Sequence, residues 1–179
     1  MPLPQGRACR HAHTKEAAGA LIARRLEAGG HRGHFLSDDL TEQPGTFALL
    51  PQIVQAVDVP VIAAGGVADA AGVAAALALG AAAAQVGTAY LLCPEATTSA
   101  VHRAALQSDA ARHTALTRLF TGRPARGIVN RVMRELGPLS PVAPAFPLAT
   151  AAMAPLRAHD ERLRSGDFSP LCSGQHTSG

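Results

Sequence analysis

Three short stretches of this 179-residue chain hold residue types that could take part in chemistry. Two of them are Ala63-Ala64-Gly65-Gly66 and Gln85-Val86-Gly87-Thr88. Backbone N–H groups donate well to a phosphate, but only where no side chain keeps the anion away, and glycine meets that condition. The Thr88 hydroxyl adds another donor. The third stretch is Glu27-Ala28-Gly29-Gly30-His31-Arg32-Gly33, an imidazole set among glycines. With an ordinary pKa of about 6.5, His31 can accept a proton near neutrality. The glycines beside it would let the backbone lie close to a flat ligand. Taken alone, the glycine stretches read equally as tight turns, and His31 as a loop histidine without chemistry.

The elements around these stretches give them a setting. Residues 20–23 form a short apolar run of the size of a buried parallel strand. Phe47, Leu49, Leu50, Ile53, Val54 and Val57 follow helical spacing, with Pro51 inside, and Asp58 ends that helix. A strand over 59–64 closes at Gly65-Gly66. Asp69 caps a helix that runs to Leu79 and stops at Gly80. A third strand covers 82–86. Strand, helix, strand, helix, strand at this spacing is the pattern of parallel βα units. In (β/α) barrels a phosphate commonly binds at the carboxyl ends of such strands, on loop amides and a helix N-terminus. Both glycine turns fall there, in successive units.

Beyond residue 96 the pattern changes. A helix is expected over 98–110, capped by Thr97, Thr98 or Ser99, and another over 124–136 with arginines 126, 131 and 134 along a solvated face, Arg126 alternatively buttressing a loop. Gly137-Pro138 stops it, and Pro138, Pro141, Pro144 and Pro147 make an extended connector. A last helix over 148–164 precedes a polar tail from Ser165 to Gly179. Residues 1–19 form a poorly ordered or divergent N-terminus, 20–164 the domain.

Composition narrows the function. The chain is 47% hydrophobic and 16% charged, enough for a buried core and against wholesale disorder. Its formal charge of +3 is scattered, and with 3% aromatic residues a nucleic-acid partner is not expected. The apolar stretch 70–93 is mostly Ala and Gly, unlike the roughly 20 Leu/Ile/Val/Phe-type residues of a membrane span. The start has no apolar leader region, so a cytoplasmic protein is expected. Cys9, Cys93 and Cys172 match no metal spacing, and His34, three residues after His31, has no third ligand following it. His11, His13, His102, His113, His159 and His176 read as solvent-facing. No metal site is expected.

Together these motifs resemble the nitronate monooxygenase (2-nitropropane dioxygenase) family of FMN-dependent TIM-barrel enzymes. The matching words are EAGGHRG (27–33), PVIAAGGV (60–67), QVGTAYLLCPEA (85–96), FTGRPARGIVN (120–130) and SPLCSGQ (169–175). The first is quite specific; AAGG and QVGT are shared with many flavin barrels. The resemblance implies that His31 is the catalytic histidine, taking the α-proton of a neutral nitroalkane or contacting the nitronate. It implies Gly29 beside the flavin, and Gly66, Gln85, Val86, Gly87 and Thr88 around the FMN phosphate and ribityl chain. The implied reaction is oxidation of an alkyl nitronate by O₂ to a carbonyl compound and nitrite. An FMN-dependent enoyl-ACP reductase resembles the same barrel. A non-catalytic half-barrel that binds FMN, phosphate or a partner chain is the reading outside enzymes.

The chain departs from that family in three places. A whole barrel has eight βα units in about 250 residues, and three strands are counted here, so the fold expected is a partial barrel: the last three βα units plus C-terminal helices. Arg24 and Arg25 stand where the family usually has a glutamine-glycine pair with a flavin contact. Cys172 stands where it usually has tryptophan. No likeness is read upstream of Ala20. A cut barrel exposes strand edges and inner faces, so a homodimer or a complementing half-barrel chain is expected, with weakened flavin binding.

Overall fold

The structure, a computed structural model, describes residues 19–33, 37 and 39–176. The readings made for residues 1–18, including Cys9, His11 and His13, and for His34 lie outside these.

Three parallel strands form the first layer: β1 (Leu21–Arg24), β3 (Val61–Ala64) and β4 (Ala83–Gln85), in the order β1-β3-β4. Helix α1 (Thr46–Ala56) connects the first two and α2 (Ala70–Ala78) the last two. Ala23, Val61 and Ala63 pack on one face against Leu50 of α1 and Ala76 of α2. Most of these side chains are alanine, so the helices settle close on the sheet and small changes in volume are felt. Asp69 caps α2 by accepting from Gly72 N at 2.7 Å, and Gly80, at φ +93°, ends it in the left-handed conformation that glycine tolerates. On the opposite face Ile22 is 54% exposed and Ala83 and Gln85 are exposed.

A second, antiparallel sheet has the order β2-β6-β5, from β2 (Gly30–His31), β6 (Ala125–Ile128) and β5 (Thr114–Thr117). This corrects the helix expected over 124–136. Its first part is β6, and the helix is α4 (Arg131–Leu136), capped by Asn130, whose side chain accepts from Met133 N. Helical spacing is present at 128, 132, 133 and 136. At Gly127, however, the backbone lies so close to Leu171 that a Cβ would fall 2.8 Å from its carbonyl oxygen. Pairing with β5 and the tail wins over local periodicity. Strand β5 falls in a stretch, 111–123, for which no element is expected from sequence.

Helix α3 (Ala100–Leu106) is shorter than the run expected to 110. Ser99 is its cap, and a 3₁₀ turn over Asp109–Arg112 follows. Helix α5 (Leu148–Arg162) lies where the last helix was expected. The polar tail is a packed strap instead: Cys172 bridges to Gly127, Ile128 N donates to Leu171 O at 2.8 Å, and Ser169, Leu171 and Ser173 are buried. Its small residues allow that close approach, which their polarity hides. No helix among the described residues is long and apolar enough to cross a membrane.

Candidate functional site

A cavity of about 340 Å³ opens at the carboxyl ends of the parallel strands. Its walls come from the loop after β1 (Gly29), the turn after β3 (Gly66), the end of β4 with its following turn (Gln85, Gly87, Thr88), and the strap (Gly174). Five of the seven residues singled out for the site, Gly29, Gly66, Gln85, Gly87 and Thr88, therefore meet around one space. Val86 and His31 do not line it.

The glycines have distinct reasons. Gly65 and Gly66 have φ of +105° and +73°, open to glycine and strained for other residues. A Cβ on Gly29 would stand 2.7 Å from Ser173 C and 2.8 Å from Gly174 N, so the strap crosses directly over it. At Gly87 a Cβ would meet nothing within 4 Å, so the protein's own packing does not demand glycine and free space lies beside the backbone. Gly174 N donates to Thr88 Oγ1 at 2.9 Å. That bond uses an oxygen lone pair and leaves the hydroxyl proton for an anion.

Two buried arginines hold the 25–33 loop. Arg32, 3% exposed, donates through Nη1 to Ala28 O at 2.8 Å, through Nη2 to Arg25 O, and through Nε to Gln43 Oε1 at 3.2 Å. Arg126 is buried on β6 and not on a solvated helix face, and it buttresses the loop, the alternative the sequence left open for it. It donates to Leu26 O at 2.7 Å and to Thr114 Oγ1 at 3.1 Å. Desolvation, with Arg24, Arg126 and Arg25 nearby, brings Arg32 down to about 10. Glu27 opposes the fall in both arginines. The same carboxylate accepts from Thr46 N at 2.9 Å and from Thr46 Oγ1 at 2.9 Å, capping α1 where Gly45 has no side chain to do so. No local spacing announces this, because the partners are 19 residues apart.

His31 stands one residue beyond the cavity-lining Gly30, its backbone paired with Ala125 in β6. Its Nε2 lies 2.9 Å from Thr121 Oγ1. Where the Thr121 hydroxyl donates to Arg123 O, 3.2 Å away, its oxygen is left to accept. With that oxygen accepting, the neutral ring carries its proton on Nε2 and has Nδ1 as its basic atom; with the hydroxyl donating to Nε2 the tautomer is the other one. Desolvation, then the charges of Arg123 and Arg24, hold the imidazole below its usual pKa. The edge of Phe146 meets the ring at 6.5 Å.

Two histidines read as solvent-facing are engaged. His102 Nε2 is 3.0 Å from Cys172 O, and His176 lines the cavity with Nδ1 3.4 Å from Gly66 O and Nε2 3.9 Å from Asp69 Oδ2. The C-terminal words in the sequence, not their periodicity, were the available signal for the strap. Arg103 was also missed. It binds the carbonyls of Leu92, Cys93, Ala96 and Thr98, fixing the segment after Thr88. Among the described residues, no three His, Cys, Asp or Glu side chains gather as a metal site needs.

Parallel strands crossing through helices, with glycine turns gathered round one cavity at their carboxyl ends, define an α/β protein whose cavity lies where such sheets commonly bind ligands. Within that class the chain belongs to the nitronate monooxygenase family, whose model matches residues 6–176. The match starts upstream of Ala20, where the likeness was first read. A nitronate monooxygenase of Paraburkholderia phytofirmans is 47% identical over 147 residues, 80% of this chain and 40% of the relative. One of Pseudomonas aeruginosa is 41% identical over 163 residues, 89% of this chain and 46% of the relative. The chain thus spans less than half the length of these curated relatives. Among solved structures, nitroalkane oxidase from Streptomyces ansochromogenes superposes with a TM-score of 0.81 and 42% identity, over 89% of this chain and 46% of that one. FabK from Thermotoga maritima gives 0.66 and 31%, over 89% and 48%.

Proposed function

We propose that this chain is the carboxyl-terminal part of a flavin (β/α) barrel that binds FMN and serves the oxidation of alkyl nitronates by O₂ to a carbonyl compound and nitrite. The observation that carries the reading is the convergence of Gly29, Gly66, Gln85, Gly87 and Thr88, from three separate loops, on one cavity. The amides at 66 and 87 and the free Thr88 proton would hold the FMN phosphate and ribityl chain. Gln85 would add side-chain hydrogen bonds, and Val86 would set the turn between them. The residues suit such a group: the glycines bring no side chain between their amides and an anion, space lies beside Gly87, and no carboxylate lines the cavity among the described residues. When bound, FMN would supply the electron transfer between nitronate and dioxygen. His31 would take the α-proton of a neutral nitroalkane on Nδ1, its ring held by Thr121 from the other side. For a preformed nitronate it would contact the anion only.

Titration of the purified chain with FMN tests the reading, followed by flavin fluorescence and by absorbance at about 450 nm, as for any oxidised flavin. Saturable binding is expected in the native chain. It should be lost in Gly66→Val, whose Cβ would be strained at φ +73°, while the circular dichroism spectrum is kept. No binding with excess FMN, or full binding by Gly66→Val, overturns it. The enoyl reductase alternative would show NAD(P)H-dependent reduction of an enoyl thioester. Its structural counterpart matches less closely, at 0.66 against 0.81.

A further inference from the structure

At the carboxyl ends of the parallel strands, Arg24 pairs with Ala64 and Ala64 with Gln85, making one row across the sheet. Register partners in a parallel ladder share a face. This row lies opposite the face on which Ala23 and Ala63 pack under the helices, and all three of its residues line the cavity. Of the described residues lining that cavity, Arg24 carries the one permanent charge, and no Asp or Glu is present. Its Nη2 donates to Gly29 O, which holds the guanidinium against the loop, and a Cβ on Gly30 would come within 3.3 Å of it. Glu27, the carboxylate of that loop, is turned to Thr46. The sign of the charge is felt nearby, since Arg24 lowers the proton affinity of His31 and of Arg32.

We propose that Arg24 sets the electron affinity of flavin in this cavity, favouring the reduced ring over the oxidised one. The inference rests on the FMN reading above. An oxidised isoalloxazine is neutral. Taking up two electrons and one proton leaves it with a single negative charge; the electrons come from the nitronate in the proposed activity and from dithionite in the test. A fixed cation with no paired carboxylate among the described residues stabilises the charged form and leaves the neutral form nearly unaffected. Proteins tune bound flavin by such charges, and here a guanidinium supplies one.

The experiment is a dithionite titration of the FMN-loaded chain against a reference dye, for the native protein, Arg24→Gln, Arg24→Met and Arg24→Lys. The affinity of each for oxidised FMN is measured in parallel. In both neutral variants the preference for reduced over oxidised FMN should fall about tenfold, for a charge a few ångströms from the ring. A tenfold change corresponds to about 30 mV in the midpoint of a two-electron couple. Arg24→Lys should stay near the native value. A purely structural role, through the Gly29 carbonyl, would weaken both redox forms equally and leave the midpoint unmoved. An unmoved midpoint in either neutral variant overturns the inference while leaving the FMN reading intact. Absence of FMN binding by the native chain overturns both together.

Discussion

His31 illustrates how little a residue's type decides alone. A base must be uncharged to accept a proton, and partial burial together with Arg123 and Arg24 keeps this imidazole below its usual pKa, so at pH 7 the ring is neutral. The same shift makes a statement about stability. Because the folded pKa lies below the unfolded value of about 6.5, the unfolded chain takes up the proton first as pH falls. The contribution is therefore complete above that pH and is lost as pH drops through it toward the folded pKa. His102, desolvated in the same direction, adds to the effect. Thermal unfolding should show a Tm that declines from pH 7 toward pH 5, and the decline should be shallower in the double variant His31→Ala/His102→Gln; an unchanged slope would remove the linkage. In turnover, His31→Ala should lose roughly 10²–10⁴-fold on neutral nitroalkane, the usual range of general-base catalysis, and far less on preformed nitronate. Equal losses on the two substrates would contradict the base role.

Helices and strands in this chain are held at their ends by partners distant in sequence. Glu27 caps α1 and stands as counter-charge to Arg32 and Arg126, both buried. Converting it to an amide leaves two desolvated guanidiniums without that compensation. Glu27→Gln should cost about 2 kcal/mol, the scale for losing charge-assisted hydrogen bonds from a half-buried carboxylate near two buried guanidiniums. Denaturant unfolding measures this, and a loss below about 0.5 kcal/mol, the level of ordinary surface changes, would show the cluster to be solvent-screened. The tail shows the same long-range control. Asn130 caps α4 and also donates to Gly166 O at 2.8 Å and Ser169 O at 3.0 Å, so one side chain starts a helix and anchors the strap. In sequence the whole run 124–136 read as one helix, through Asn130, because nothing local reveals that Gly127 lies under Leu171.

At the scale of the molecule, β1 and β4 form the two edges of the parallel sheet, and Ile22, Ala83 and Gln85 on its outer face are open to solvent. The curated relatives are about twice this length and hold a further segment outside the matched part. On the partial-barrel reading, adding a polypeptide equivalent to the other part of the Pseudomonas aeruginosa relative should raise FMN affinity at least tenfold, by ordering the walls that the cavity lacks. The change is measured in the same fluorescence titration. Unchanged affinity, with no complex on a sizing column, would count against a barrel closed by a second chain.

The sequence alone determined the parallel βα core and the three glycine stretches. Apolar runs, the Asp69 cap, the Gly80 stop and the paired glycine turns are local signals that short-range sterics and hydrogen bonding enforce. It also carried the family, because EAGGHRG, AAGG and QVGT keep their order and spacing. Tertiary structure decided what those stretches face. Only packing turned residues 125–128 into a strand, buried Arg126, drew the polar tail over Gly29, and set Arg24 into the cavity while leaving His31 just outside its lining. These outcomes depend on contacts between residues as distant in sequence as Gly29 and Ser173, and such contacts are settled by which surfaces exclude water from one another, a quantity no local stretch of sequence contains.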